Sequence, residues 1–321
     1  MATIFITRAV PNEAVTLLTN AGHTVDVSPK DGVLTKEELI TALSAKPYDA
    51  VLCLLTDQID GEVMDAAPSV KIFANYAVGF DNIDTVAAKA RGIYVTNTPD
   101  VLTETVSLHA LSLMLALTRR IVESDRYVRT GAYQGWAPML FLGMDMRGKM
   151  LGIVGAGRIG RSLAYMAHHG FGMQILYTDR ERNAEFEAAV GAEYIQELDA
   201  LLPRADVVSL HVPLLPETRH LINEKRLGLM RRSAYLINTS RGPVVDEAAL
   251  VTALQTGGIA GAGLDVFEHE PELTKGLTDL QNVVLTPHIA SASKETRARM
   301  AEIAAQNIIA VCEGGVPPHA L

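Results

Sequence analysis

Short apolar segments alternate with amphipathic segments along the first hundred residues of the chain. Apolar, β-branched runs of strand length occur at about 3–7, 23–27, 49–55, 70–76 and 93–96. Helical spacing of apolar positions occurs between them, at about 11–21, 35–45, 60–67 and 83–90. Strands that alternate with helices over short links predict a parallel sheet covered by helices on both faces.

A second block of the same kind begins near residue 149. Its strand-length apolar runs lie at about 150–154, 174–178, 207–211, 234–238, 261–264 and 283–285. Proline disfavours helical geometry in the residue before it, so Pro99 and Pro287 are interpreted as crossings between the blocks. A last helix, at about 293–312, follows the second crossing. The middle block, 99–287, is therefore predicted to be inserted in a domain formed by 1–98 and 288–321.

The segment that joins the two blocks differs from both in composition. One helix is predicted from about 103 to 129, and its first half, 108–117, is apolar almost all round. A helix of this kind is buried on several sides, so we expect part of it to face a second subunit; a core helix within one chain is the alternative. Residues 130–146 are irregular and contain the only tryptophan, Trp136. This stretch is predicted to be a packing arm or a pocket wall.

The second block opens with a strand, a glycine-rich turn, a helix, a strand and an acid. Gly155, Gly157 and Gly160 have the GxGxxG spacing, and Asp179 ends the second strand. The first glycine allows a tight turn, the second lets a pyrophosphate approach, and the third lets the helix pack on the strand. This unit predicts dinucleotide binding. The predicted fold is α/β, with two doubly wound parallel-sheet domains, a Rossmann cofactor domain being inserted in a flavodoxin-like substrate domain.

Asp179 bears on the choice between NAD and NADP. Its carboxylate is suited to accept hydrogen bonds from ribose hydroxyls and would repel a 2′-phosphate, which favours NAD. Arg180 and Arg182 follow directly, and an arginine near this point can accommodate a 2′-phosphate. We interpret both as solvated loop charges and keep NADP as the weaker alternative.

Charge and cysteine content restrict the expected partners. The formal net charge of −9 over 321 residues disfavours non-specific binding to nucleic acids and anionic membranes. The sequence has no basic segment followed by an apolar core at its start, and its most apolar helix is too short to span a bilayer. Cys53 and Cys312 have no metal-ligand spacing, so no disulfide framework and no metal site are expected. These features predict a cytoplasmic protein.

Three strand ends of the second block carry groups that are able to do chemistry. Ligands of doubly wound sheets bind beyond such carboxyl ends. Arg241 is suited to grip a carboxylate with two parallel hydrogen bonds, and His288 is suited to supply a proton. Glu270 is suited to orient the imidazole and to favour its charged form. Each residue alone is more typical of a surface or structural position, but together, beside a dinucleotide fingerprint, they predict a 2-keto-acid reductase.

Alternatives exist for two of these assignments, and the first block contributes loops of its own. Glu268 and His269 are the alternative carboxylate and imidazole; Glu270 is preferred because the neighbouring proline constrains its turn. The loops 54–57 and 76–82 follow predicted strands of the first block. Gly79 is suited to let backbone N–H groups face an anion, and an ordinary tight turn is the other interpretation.

Six longer motifs point to one family. They are YAVGFDNID (76–84), GIYVTNTP (92–99), GIVGAGRIG (152–160), INTSRGPVVDE (237–247), GLDVFEHEP (263–271) and LTPHIAS (285–291). On these residues the chain resembles the D-2-hydroxyacid dehydrogenase family over nearly its full length. CLLTD (53–57), VGFDNID (78–84) and GWAP (135–138) are most similar to the glyoxylate/hydroxypyruvate reductase branch.

The resemblance implies NAD(H)-dependent reduction of a small 2-keto acid, glyoxylate or hydroxypyruvate, with Arg241, Glu270 and His288 as the catalytic residues. It implies that the amides of Val78 and Gly79 bind the substrate carboxylate and that Leu54 lies near the substrate. It also implies a homodimer through the cofactor domain, in which Trp136 reaches the active site of the other subunit. The implied cofactor contacts are Arg158, Ile159, His211, Val212, Pro213, Thr218, Thr239, Asp265 and Ala290.

Other functions remain open on the same motifs. Phosphite dehydrogenases share the three catalytic residue types and an arm similar to 132–136, and D-lactate and D-glycerate dehydrogenases are further alternatives. Formate dehydrogenases pair their histidine with glutamine, so Glu270 is evidence against that branch. A nucleotide-sensing corepressor on the same fold is a remote alternative, because a sensor does not need Arg241, Glu270 and His288 together.

Overall fold

The computed structural model describes all 321 residues, which form two compact units. One unit consists of 1–102 and 292–321, and the other consists of 103–291. The strands are β1 (Thr3–Ile6), β2 (Thr24–Val27), β3 (Ala50–Cys53), β4 (Ile72–Asn75), β5 (Tyr94–Thr96), β6 (Met150–Val154), β7 (Gln174–Thr178), β8 (Glu193–Tyr194), β9 (Val207–Leu210), β10 (Tyr235–Asn238), β11 (Gly261–Leu264) and β12 (Val283–Leu285).

Helices follow most of these strands, and the α/β class predicted from the sequence is confirmed. They are α1 (Asn12–Asn20), α2 (Lys36–Ser44), α3 (Gly61–Asp65), α4 (Thr85–Ala90), α5 (Thr103–Thr118), α6 (Ile121–Arg129), α7 (Arg158–Phe171), α8 (Ala184–Val190), α9 (Leu198–Leu201), α10 (Glu224–Leu229), α11 (Glu247–Gln255) and α12 (Lys294–Cys312). Short 3₁₀ helices lie at Leu202–Arg204, Gly242–Val244 and Leu277–Asp279.

The unit formed by 1–102 and 292–321 contains a five-stranded parallel sheet. Its strand order is β2-β1-β3-β4-β5, which is the flavodoxin-like order. Every residue of β3 and β4 is buried, which explains why these segments are continuous apolar runs rather than alternating ones. Side-chain caps begin the helices on either side: Thr35 and Glu38 form a capping box on α2, and Asp84 caps α4. The carboxyl ends of β3 and β4 carry the loops 54–57 and 76–82.

The unit formed by 103–291 contains a seven-stranded parallel sheet. Its order is β12-β11-β10-β9-β6-β7-β8, which is the Rossmann order with a seventh strand added at one edge. The order reverses between β6 and β9, so the turns that follow these two strands border the crevice where such sheets bind ligands. Helix α5 packs closely on the sheet because β11 has a glycine below it: a Cβ on Gly263 would lie 3.0 Å from Leu113 and 3.1 Å from Leu117.

The prediction of one helix over 103–129 is wrong, because the structure has two helices, α5 and α6, bent by 59°. Arg120 lies between them with a φ of +54°, and its guanidinium donates hydrogen bonds of 2.8 and 2.7 Å to Glu123. A left-handed residue interrupts the regular hydrogen bonding of a helix. No single helix of the structure is both long and apolar enough to cross a membrane; α5 and α6 pass that test only when taken together.

Most of the apolar surface of α5 lies inside its own unit. Leu111, Leu113, Met114 and Leu117 are buried there, whereas Leu108 is 55% exposed. The core-helix interpretation therefore accounts for most of 108–117. The edge strand β8 is missing from the sequence-based prediction, since a strand of two residues has no periodicity to detect.

Candidate active site

The turn after β6 shows which of its glycines serve internal packing and which leaves room for a ligand. Gly155 has a φ of +92°, and a Cβ on it would lie 2.8 Å from the carbonyl oxygen of His211. A Cβ on Gly160 would lie 2.3 Å from the carbonyl oxygen of Gly155. Gly157, in contrast, has no atom within 4 Å of its ideal Cβ position. The open side of the turn is therefore at Gly157, where a pyrophosphate is expected to approach.

The groups around this turn fit a dinucleotide. Helix α7 begins at Arg158, and the N–H groups of Gly157 and Ile159 donate to no acceptor in the chain. Amides of this kind at a helix N-terminus bind phosphate. The hydroxyl of Thr239, at the end of β10, is buried and has no hydrogen-bond partner within the protein, so it is able to bond to a bound molecule.

The carboxylate of Asp179 is held at the glycine turn. Its Oδ2 accepts a hydrogen bond of 2.8 Å from the amide of Ala156, and its Oδ1 accepts one of 2.7 Å from the amide of Arg180. The two arginines that follow are both paired with carboxylates. Arg180 Nη2 lies 2.5 Å from Glu217, and Arg182 forms a two-pronged pair with Glu187 at 2.7–3.0 Å. This pairing agrees with the interpretation of the arginines as loop charges.

Gly157→Ala tests whether the open side of the turn is a phosphate site. We expect unfolding free energy to change by less than about 0.5 kcal/mol, because nothing opposes the added methyl group. The Kd for NADH should rise about tenfold or more, because overpacking of this size typically costs about 1–3 kcal/mol. Calorimetry of NADH binding measures the effect. Gly170→Ala, an equally open glycine within α7, is the control; equal Kd values in both variants would contradict the assignment.

The segment after β9 contains four of the residues that the resemblance implied as cofactor contacts. His211 follows the strand directly, and its Nε2 lies 2.9 Å from the hydroxyl of Ser209. Thr218 closes the loop that begins at Pro213, because its hydroxyl donates to the Pro213 carbonyl at 2.7 Å. Val212 lies next to Gly155, 3.0 Å from the ideal Cβ position of that glycine. Their contact with a cofactor remains a prediction.

His211 makes the unit sensitive to acid. Burial lowers its pKa from 6.5 to about 4, so the folded protein keeps the ring neutral where the unfolded chain takes up a proton. Stability is therefore lost as the pH falls from 6.5 towards 4. Between these pH values we expect the free energy of unfolding to fall by about 2–3 kcal/mol more in the wild-type protein than in His211→Gln. Denaturant unfolding at several pH values measures it. The same pH dependence of the unfolding free energy in the two proteins would contradict this expectation. The control is His269→Gln, which replaces an exposed histidine.

Beyond β11 and β12, a histidine and a glutamate form a direct pair. His288 Nδ1 lies 2.8 Å from Glu270 Oε2, and Glu270 Oε1 accepts a hydrogen bond of 2.9 Å from the amide of Phe267. With Glu270 ionised, Nδ1 carries the hydrogen of this bond, and Nε2 is the ring nitrogen left for other chemistry. Both side chains are partly exposed, so a small molecule is able to reach them.

The backbone of His288 is in the left-handed region, with a φ of +54°, and Asp265 holds it there. The fully buried carboxylate of Asp265 accepts hydrogen bonds from the Thr286 hydroxyl at 2.6 Å and from the amides of Ile289 and Ala290 at 2.9 and 2.7 Å. Burial by itself raises the pKa of this carboxyl, but hydrogen bonds from His109, Thr286 and the two amides outweigh it and lower the pKa.

This role of Asp265 and Ala290 was not predicted from the sequence, and neither was the contribution of His109 and Thr286. His109 Nε2, on α5, lies 3.0 Å from the hydroxyl of Thr286. The position of Thr286 near the site is predictable from the sequence, because it stands two residues before His288 in the same motif. The position of His109 is not, because it lies far away in the chain, in the apolar helix segment 108–117. The implied contact of Asp265 and Ala290 with the cofactor stays a prediction.

The alternative carboxylate and imidazole are placed elsewhere. Glu268 accepts hydrogen bonds from His220 at 2.5 Å and from the amide of Glu247 at 3.2 Å. His269 is exposed and forms a short backbone bridge with Glu272. The geometry thus pairs His288 with Glu270 and not with Glu268.

Arg241 lies in the loop that follows β10, directly against the Glu270 loop. Asn238 fixes this loop, because its side chain donates to the Arg241 carbonyl at 2.9 Å and accepts from the Ser240 amide at 3.0 Å. A Cβ on Gly242 would lie only 1.8 Å from the carbonyl oxygen of Phe267. The backbone beside Arg241 therefore touches the backbone that bonds to Glu270.

The remaining predicted site residues lie in other parts of the chain. Leu54, Val78 and Gly79 are in the loops after β3 and β4, within the unit that contains both chain ends. Trp136 is 84% exposed in the irregular stretch between α6 and β6. No group of three or more His, Cys, Asp or Glu side chains is arranged to hold a metal ion.

A Rossmann sheet, a glycine turn with free amides and a histidine–carboxylate pair beyond the strand ends define a dinucleotide-dependent dehydrogenase domain. The family model for the NAD-binding domain of D-isomer specific 2-hydroxyacid dehydrogenases matches residues 111–290. A glyoxylate reductase of Thermofilum pendens is 50% identical over 317 residues, covering 98% of this chain and 93% of that protein. The chain belongs to the D-isomer specific 2-hydroxyacid dehydrogenase family.

Solved structures agree with this assignment. A protein of Thermus thermophilus is 43% identical, covers 99% of both chains and has a TM-score of 0.92. An NADPH-dependent glyoxylate/hydroxypyruvate reductase of Sinorhizobium meliloti, in complex with NADP and malonate, is 33% identical with a TM-score of 0.86. The match covers 100% of this chain and 96% of that one. The resemblance drawn from the sequence motifs is thereby confirmed.

Proposed function

We propose that this protein reduces a small 2-keto acid, glyoxylate or hydroxypyruvate, to the 2-hydroxy acid with NADH. The observation that carries the proposal is the pair His288–Glu270, 2.8 Å apart, beside the Arg241 loop in a domain that fits a dinucleotide. The relatives named glyoxylate reductase support the choice of substrate. The unit 103–291 would bind the cofactor, and the unit with both chain ends would contribute to substrate binding.

The roles of the residues follow from their chemistry. The guanidinium of Arg241 binds the substrate carboxylate and polarises the 2-keto oxygen. A bound nicotinamide supplies the hydride that reduces the keto carbon. The imidazolium of His288 gives a proton to the developing alkoxide, while Glu270 stabilises that imidazolium and fixes its ring. The amides of Val78 and Gly79 are proposed to bind the carboxylate as well, with Leu54 next to the substrate.

NAD is the proposed cofactor, with NADP as a weaker alternative. Asp179 places a carboxylate at the turn, where a 2′-phosphate would be repelled. Arg180 and Arg182 would have to leave Glu217 and Glu187 in order to bind that phosphate. The relative from Sinorhizobium meliloti is NADPH-dependent, and a comparison of NADH with NADPH as the reductant tests the preference of this protein.

The test follows the absorbance of NADH and NADPH with purified protein and glyoxylate, hydroxypyruvate, pyruvate or phenylpyruvate. Fast loss of NADH with either of the first two acids would support the proposal. Preference for NADPH would overturn the cofactor assignment, and preference for the bulky acid would overturn the substrate assignment. Absence of turnover with every acid would contradict reductase activity and leave phosphite oxidation or a sensor role to be assayed.

We also propose that the protein is a homodimer through the cofactor-binding unit. The arm 130–146 and helix α6 carry several large apolar side chains that are more than half exposed; they are Ile121, Val128, Tyr133, Trp136, Met139 and Leu142. Exposed apolar side chains concentrated in one part of a chain are typical of interaction sites. The arm is also where the resemblance implies that Trp136 reaches the other subunit. A cytoplasmic location stays a prediction of the sequence.

Leu142→Arg should convert the dimer to a monomer, because it places a charge in the proposed interface. Sedimentation equilibrium at micromolar concentration measures the mass of the wild-type and variant proteins. Val86→Arg, at an apolar residue 79% exposed in the other unit, is the control and should leave the mass unchanged. A monomeric wild-type protein would refute the proposed dimer.

A further inference from the structure

The loop after β4 has three successive carbonyl groups that each accept a hydrogen bond from another part of the same unit. The Ala77 carbonyl accepts a hydrogen bond of 2.9 Å from the amide of Thr98. The Val78 carbonyl accepts one of 2.8 Å from Asn97 Nδ2, and the Gly79 carbonyl accepts one of 2.9 Å from Asn75 Nδ2. Two asparagine side chains and one backbone amide thus fix the orientation of three consecutive peptide groups.

These anchors determine where the N–H groups of the loop point. In a trans peptide group the C=O and the N–H are directed to opposite sides, and all three peptide groups are trans. The N–H of Val78 is therefore turned away from Thr98, that of Gly79 from Asn97, and that of Phe80 from Asn75. None of the three donates a hydrogen bond to any acceptor in the chain. We call these three N–H groups the amide row.

One of these anchors, Asn75, is held in place by a buried hydrogen-bond network. Asn75 is 1% exposed, and its Nδ2 also donates to Asn82 Oδ1 at 3.1 Å. The side chain of Asn82 donates to the carbonyls of Leu54 and Asp57 at 3.1 and 3.0 Å, which joins the loop after β4 to the loop after β3. A buried polar network with its bonds satisfied specifies one arrangement of the backbone that it holds.

The loop after β3 is fixed in the same way. The buried carboxylate of Asp57 accepts hydrogen bonds from the Thr7 hydroxyl at 2.5 Å and from the Leu54 amide at 2.7 Å. Thr7 follows β1, so the network reaches across the point where the strand order of this sheet reverses. Leu54 and the amide row are consequently held in one fixed relation to each other.

We propose that Asn75 and Asn97 are positioning residues that set the amide row, including the N–H of Phe80, for the carboxylate of the substrate. The inference rests on the proposed function, in which Val78 and Gly79 meet that carboxylate. Preorganised N–H donors bind an anion without a reorganisation cost on binding, and successive N–H groups of one loop form an anion-binding concavity. Asn75 and Asn97 act through the backbone and do not touch the substrate.

Asn97→Asp is the most direct variant, because it keeps the shape of the side chain and places an acceptor oxygen against the Val78 carbonyl. We expect the KM for glyoxylate to rise about tenfold or more, which corresponds to the loss of one hydrogen bond to a charged group. The kcat at saturating glyoxylate and the Kd for NADH should stay within about twofold of wild type. Asn97→Ala, which removes the donor and adds no charge, should raise KM in the same direction.

Asn12→Asp is the matched control, because Asn12 bonds to Thr16 on the exposed face of α1 in the same unit. An unchanged KM in both Asn97 variants would overturn the inference. A loss of kcat, NADH affinity and thermal stability together would also overturn it, since that pattern indicates damage to the fold rather than to carboxylate binding. A rise in KM alone supports it.

A measurement without turnover separates this inference from the proposed function. The chain has seven phenylalanines, so ¹⁵N-phenylalanine labelling gives few amide signals, and Phe80→Leu assigns the signal of Phe80. Oxamate, a carboxylate analogue of glyoxylate, should shift the Phe80 signal in wild-type protein and shift it much less in Asn97→Asp. If no keto acid is reduced in the absorbance assay but oxamate still shifts the Phe80 signal, the proposed reaction is wrong and the carboxylate site stands. No shift in wild-type protein would overturn the amide row as a carboxylate site.

Discussion

Replacing His288 with alanine is expected to lower kcat for keto-acid reduction by about 10²–10⁴-fold, the usual contribution of a positioned acid–base group. The expectation rests on the 2.8 Å pair with Glu270 and on the φ of +54° that Asp265 and its bonded loop maintain at His288. The Kd for NADH should change little, because the glycine turn and Asp179 are untouched. Steady-state kinetics with glyoxylate and NADH measure the loss.

The control for this variant is His269→Ala, at the exposed histidine that is the alternative imidazole in the sequence. It should retain kcat within about twofold. A His288→Ala enzyme with near-full turnover would show that another group supplies the proton. Glu270→Gln gives an independent check: the imidazolium loses the anionic partner that holds its ring, so kcat should fall below that of the wild-type protein. A kcat equal to that of wild type would argue against the pair.

Gly242→Ala is expected to damage both the stability of the cofactor-binding unit and its activity. The added methyl group would lie 1.8 Å from the carbonyl oxygen of Phe267 and 2.5 Å from the amide nitrogen of Glu268. Both atoms belong to the backbone, so no side-chain rotation relieves the contact. Overpacking typically costs about 1–3 kcal/mol, and we expect a loss of about 3 kcal/mol at this site. Urea unfolding measures it.

In the same variant kcat/KM should fall even under conditions in which the protein is still folded. The clash lies between the residue that follows Arg241 and the residue whose amide bonds to Glu270, so separating the two loops moves both of these proposed catalytic residues. Gly228→Ala is the control, because nothing lies within 4 Å of its Cβ position in α10 and alanine is the better helix former by up to about 1 kcal/mol. Equal unfolding midpoints and equal kcat/KM in the two variants would contradict the close contact.

The parts of the site that were predictable are those that a single short segment specifies. The glycine turn joins three glycines to one strand and one helix, so its spacing alone indicates its fold. Arg241, Glu270 and His288 each stand just after an apolar strand, and the carboxyl ends of parallel strands meet at one edge of a sheet. The boundary between α5 and α6 was not predictable, because Arg120 is a good helix former whose left-handed backbone is fixed by its local contacts.

By itself the sequence determined the α/β class, the glycine turn and the membership of a family, because strand periodicity, turn residues and motif spacing are local properties of the chain. Only the tertiary structure decided which neighbour each polar group meets. In the structure His288 pairs with Glu270, whereas Glu268 bonds to His220. His109 and Thr286 both contact the carboxylate of Asp265. Asn75 and Asn97 donate hydrogen bonds to the carbonyls of Gly79 and Val78. Hydrogen bonds between residues far apart in the chain depend on distance and direction in three dimensions, which composition and spacing do not contain.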